Sequence, residues 1–125
     1  MENTIITLDP KKHRIRFYRT LLKQLDNPKY IDLLVDSTSK ILAVCEGDEN
    51  SKSSIKINGN IDKNYCYEVH SQYFIKELFS LMKWEDTNSS YRLVGILNAN
   101  EKTAFFPLAN AVKIDNEDFT NEQTQ

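Results

Sequence analysis

Glycine and proline are scarce, three of each in 125 residues. With so few backbone breakers, most of the chain can sit in regular elements. Two cysteines, Cys45 and Cys66, are too few for a disulfide framework and read as buried thiols in a reducing compartment. The two histidines are His13 and His70. No CxxC or HxxxH spacing joins these four residues into a metal site, so packing or surface roles are expected of them. No glycine-rich phosphate loop occurs, and no Ser/His/Asp or Cys/His spacing is recognisable. The expectation is therefore a protein that is not an enzyme, with no cofactor, no metal and no small-molecule substrate. No apolar run approaches the ~18 residues that cross a bilayer. The opening "MENTIITLDPKK" has no apolar core and no small-residue cleavage site, so it does not read as a secretory signal. Cytoplasmic residence is the resulting expectation. A positive excess is also missing, since the formal net charge is −2.

What is present is an ordinary globular balance, 40% hydrophobic and 27% charged residues. A chain of this size can bury a core without covalent staples. Its charge is unevenly spread. Residues 1–45 carry eight lysines and arginines against five acids, and the remainder carries eight against thirteen. The stretch "KKHRIRFYRTLLKQL" holds Lys11, Lys12, Arg14, Arg16, Arg19 and Lys23 with no acid among them. Such a concentration reads either as a basic face for a polyanion or as the wet side of an ordinary strand and helix.

Periodicity orders the chain. In "HRIRFY", Ile15 and Phe17 alternate with Arg14 and Arg16, the period of a half-exposed strand with its arginines on one face. Leu21, Leu22 and Leu25 give "RTLLKQLDN" a helical apolar face, which Asn27-Pro28 stops. "YIDLLVD" and "ILAVCE" read as a hairpin across the polar turn "STSK". Residues 46–64 read as a linker, with a short edge strand at Ile55 and Ile57. The pattern then restarts. "CYEVH" is a strand. "SQYFIKELFSLMKW" is a longer amphipathic helix that Ser71 can cap. "YRLVGIL" and "TAFFPL" form a second hairpin, and residues 113–125 read as a flexible acidic tail. The two halves, residues 9–45 and 65–108, thus share one order of elements. The expected fold is one α+β domain of two β-α-β-β halves around a shared small barrel, with a ferredoxin-like sandwich as the alternative.

A unit of this kind resembles the swapped-hairpin barrel family of AbrB-like regulators and tandem-repeat MraZ proteins. "HRIRFYRTLLKQL" resembles its strand and helix, and "YIDLLVDSTSKILAV" its hairpin. His13 stands where that family has glycine, and Tyr18 where it has proline. The second copy matches by pattern, and its first strand carries a glutamate rather than cations. The resemblance implies a small transcriptional regulator that binds duplex DNA. Arg14 and Lys23 would be placed toward the groove, with Lys11, Lys12, Arg16 and Arg19 neutralising phosphates. One basic copy per chain would make strong binding depend on self-association. The alternative is a protein–protein interaction module of the same fold that does not bind DNA. Any surplus of aromatic residues in the second half over what the core needs would form a patch for a partner or a second copy.

Overall fold

A computed structural model describes residues 3–57 and 66–114. Nine strands form one antiparallel sheet: β1 (Asn3–Asp9), β2 (Arg14–Tyr18), β3 (Tyr30–Asp36), β4 (Ile41–Glu46), β5 (Ile55–Lys56), β6 (Cys66–His70), β7 (Ser90–Asn98), β8 (Thr103–Pro107) and β9 (Val112–Ile114). Two helices, α1 (Arg19–Gln24) and α2 (Gln72–Met82), follow β2 and β6. The strand order is β5-β3-β4-β8-β7-β1-β2-β6, with β9 on β7. The coarse α+β expectation holds, as a predominantly antiparallel β fold with few helices. Its curled sheet is not a four-stranded ferredoxin-like sandwich.

The order strand–helix–strand–strand occurs twice, as β2-α1-β3-β4 and β6-α2-β7-β8. The two runs meet at two antiparallel seams, β2 with β6 and β4 with β8. The hairpin turns also agree in detail. Asp36 and Asn98 each use a side-chain oxygen to accept a backbone N–H, from Thr38 and Ser39 in one turn and from Glu101 in the other. Both turns close on a lysine with positive φ, Lys40 at 56° and Lys102 at 50°. Asn and Asp suit that role because their short side chains mimic a turn carbonyl.

The sequence pattern leaves out β1. It is the first strand and a central one, pairing with β2 from Ile6↔Phe17 to Asp9↔Arg14 and with β7 from Asn3↔Ile96 to Leu8↔Tyr91. The run Thr4-Ile5-Ile6-Thr7 is wholly β-branched, which suits a pleated surface. The C-terminal boundary also moves. Val112, Lys113 and Ile114 form β9 against Ser90–Arg92, so the expected tail loses its first residues to the sheet. The rest of that tail, 115–125, and most of the second half of the expected linker, 58–64, lie outside the described residues, as does residue 65 at the start of the second repeat.

The core lies on the face of the sheet that carries Ile6, Leu8, Ile15, Phe17, Leu42, Val44, Leu93 and Phe106, all fully buried. The helices pack there through Leu21 and Leu22 of α1 and Ile75, Leu78 and Phe79 of α2. Ser71 caps α2 by accepting the Phe74 N–H at 3.2 Å, and Lys83 ends it in the left-handed region. Trp84 lies edge-on to Phe79 and stacked on Tyr91, with ring centres 5.2 and 4.7 Å away, closing the end of its own helix. The sheet curls so far that its end strands approach each other: the Tyr67 hydroxyl of β6 donates to the Lys56 carbonyl of β5 at 3.0 Å.

Candidate functional site

Strand β2 puts Ile15 and Phe17 into the core, so Arg14 and Arg16 emerge on the opposite, outer face. That face is not open water at this point. Arg16 is 4% exposed, a departure from the expected wet side of a strand. Its lateral neighbours explain the burial. Thr7 of β1 and Glu68 of β6 flank Arg16, and Asp9 and His70 flank Arg14. The Arg14 guanidinium donates from Nε to Asp9 at 2.9 Å and from Nη1 to Glu68. The same Glu68 carboxylate lies 3.5 Å from Arg16 Nε. Asp9 also accepts the Lys12 N–H at 3.2 Å, and Thr7 shares a hydrogen bond with the Tyr18 hydroxyl at 2.9 Å. The glutamate of the second half is thus the counter-ion of the arginines of the first.

The other four expected cations remain exposed but are dispersed. Lys11 and Lys12 sit in the β1–β2 turn, before β2 begins. Arg19 opens α1 and Lys23 lies in its last turn, after β2 ends. The five residues of β2, ~17 Å of extended chain, lie between the two pairs. The six residues therefore form a neutralised centre with a cationic pair at either end.

A different grouping emerges farther along the outer face. One row of cross-strand neighbours runs Leu34, Ala43, Phe105, Ile96 across β3, β4, β8 and β7. Leu34 is 54% and Ile96 45% exposed. Ile5 and Val94, opposite each other on β1 and β7, extend the row and are exposed as well. Periodicity in "YIDLLVD" marks a strand but not which of its successive apolar residues meets the core. The Leu34–Val35 pair was a signal that one of them must face out.

Polar groups frame this row. On β3, Asp32 and Asp36 lie on the same face as Leu34. Asp32 accepts the Ser54 hydroxyl. Backbone and side-chain hydrogen bonds from Ser39, and the Thr38 N–H, hold the Asp36 carboxyl below the usual carboxylate range. Burial, and then the Asp32 charge, push the Cys45 thiol up, so it stays protonated rather than becoming a nucleophile. Neither cysteine is in a disulfide.

Among the described residues, no group of three or more His, Cys, Asp or Glu side chains could hold a metal. Among them, too, no helix is long and apolar enough to cross a membrane. Against known proteins, no family model, no curated protein and no solved structure matches this chain.

Proposed function

We propose that this protein is a protein–protein interaction module that uses the outer apolar face of its sheet, on a barrel of the swapped-hairpin type. The repeated strand–helix–strand–strand order and its two antiparallel seams support that fold reading. One observation carries the function: Leu34 and Ile96 stand exposed on either side of a half-buried Phe105, while Arg14 and Arg16 are committed to Asp9 and Glu68. An arginine bound to an internal carboxylate gives up that partner before it can take a phosphate, which removes much of the gain.

Duplex-DNA binding is the competing reading. It rests on the exposed Lys11, Lys12, Arg19 and Lys23. Two measurements separate the readings. Random duplex DNA is titrated at two salt concentrations, and a displayed random-peptide library is selected on the immobilised protein. The module predicts no steep salt-dependent DNA binding, together with enriched peptides that an Ile96→Asp/Leu34→Asp variant no longer holds. A steep salt slope that flattens in Lys11→Ala/Lys12→Ala/Lys23→Ala would overturn it in favour of a regulator.

A further inference from the structure

Strand β3 is covered only along the start of one edge. Its inner neighbour β4 pairs with it from Ile31 to Asp36. Its other neighbour, β5, pairs with Tyr30 and Ile31, and Ile57 N–H adds one bond to the Lys29 carbonyl at 2.8 Å. Ser54, next in register after Ile55, sits beside Asp32, and among the described residues no strand continues along Leu33–Asp36. Strand backbone groups alternate sides. Tyr30 and Asp36 turn their carbonyls toward β4, accepting from Gly47 and Lys40 at 2.7 Å each. Lys29 turns its carbonyl the other way. The same alternation directs the main-chain N–H and C=O of Leu33 and Val35 to the open edge.

The molecule itself contains the complement of this edge. Leu34 and Ile96 lie in the same cross-strand row, on β3 and β7. Beside Ile96 the row continues onto β1, where Asn3 pairs with it and Thr4 and Ile5 pair with Gly95 and Val94. Beside Leu34 the corresponding place is open. Two grooves flank it. One, of about 500 Å³, lies on the outer face and is lined by Leu34, Asp36, Ile41, Ala43 and Phe105. The other, of about 630 Å³, lies toward α2 and is lined by Val35, Tyr73, Leu78 and Leu81, with Lys76 and Glu77 offsetting each other. Both Leu34 and Val35 are exposed; Leu34 lines the first groove and Val35 lines both.

We infer that the open edge of β3 accepts an extended segment of a partner protein as an added antiparallel strand, with lysine or arginine opposite Asp36 and at the end that reaches the Asp32 carboxylate, and apolar residues between them. This rests on the interaction-module reading and names its ligand. Strand addition takes its affinity from main-chain hydrogen bonds and its selectivity from pockets for alternate side chains. Here the main chain offers Leu33 and Val35, and the grooves offer two apolar sides. Charge complementarity selects the occupant. A second copy paired through its own β3, centred on Leu34, would set Asp32 of each copy against Asp36 of the other. Like charges directly opposite are destabilising. The chain's acidic "DNEDFTNEQTQ" segment would meet the same repulsion.

The test uses the full chain and synthetic probes. The probe is an acetylated, amidated peptide, Lys-Val-Thr-Val-Lys, flanked by serines. Binding is followed by amide chemical shifts and by fluorescence anisotropy of a labelled copy. The expected result is binding that shifts the Leu33 and Val35 amides. Affinity should fall at least ~10-fold when glutamate replaces lysine in the probe, and again when its edge-facing amides are N-methylated, since each loss exceeds ~1.4 kcal/mol. Val35→Pro should abolish binding while preserving the β3–β4 ladder, because the proline removes an N–H that points away from β4. The N-methyl probe keeps the test valid if that variant does not fold. Absence of binding at millimolar probe, or equal binding by the N-methylated probe, overturns the inference. So does a dimer in sedimentation that Val35→Pro dissolves, which would assign the edge to a second copy. Library peptides lost with Ile96→Asp yet retained by Val35→Pro would sink the edge assignment and leave the module standing. Salt-steep DNA binding with no peptide selected would sink both.

Discussion

Gly95 has no room for a side chain. A Cβ built there would sit 2.5 Å from the Phe105 carbonyl and from the Phe106 ring. Gly95→Ala must move backbone or a fully buried ring, so it should cost about 1–3 kcal/mol in urea unfolding. Glu68 is the other residue on which much converges, accepting from Arg14 and lying 3.5 Å from Arg16 Nε. Glu68→Gln removes the carboxylate charge that lies beside the buried Arg16. The site is partly exposed, so the loss should fall between surface and buried pairs, about 2 kcal/mol by denaturant midpoint. Asp36 predicts a pH effect of definite sign. Its carboxyl titrates lower when folded, so it stabilises above the unfolded pKa and that contribution fades as pH falls through the folded one. Asp36→Asn should keep the turn, because Asn98 caps the equivalent one, and should flatten the acid limb of a melting-temperature profile.

At the scale of elements, α2 offers the plainest test. Lys83 holds φ at 57° while the Trp84 N–H reaches the Phe79 carbonyl at 2.9 Å. Lys83→Gly removes the Cβ penalty of the left-handed region but loosens the unfolded chain, for a net gain of about 0.5 kcal/mol in thermal unfolding. Both helices, both hairpins and the Ile55–Lys56 strand could be read from spacing, because each shows its period within a few residues. The Ser71 cap was equally local. Strand β1 was not legible, since Ile5 interrupts the alternation of Thr4, Ile6 and Leu8. Its β-branched composition was the remaining signal. The site was harder still. Placing Arg14 and Arg16 on one face was correct, but whether that face is wet depends on Asp9 and Glu68, which reach it by pairing of strands distant in sequence. A single-strand pattern contains no information about such neighbours.

At the scale of the whole molecule, the Tyr67 hydroxyl joins the end strands of the sheet. Tyr67→Phe removes the bond to the Lys56 carbonyl. The expected loss is about 1 kcal/mol, with faster amide exchange in β5 and the neighbouring part of β3 as the diagnostic. An unchanged exchange pattern would mean that the curl is held elsewhere.

Strand β1 has a further consequence, for the birth of the protein. Its long partner β7 lies more than eighty residues downstream, from Ser90 to Asn98. A growing polypeptide therefore makes Ile5, Ile6 and Leu8 more than eighty residues before their mate on β7. Closure of so distant a pair is entropically slow, and a nascent chain stalled before Ser90 becomes the form most prone to aggregate and most dependent on chaperones.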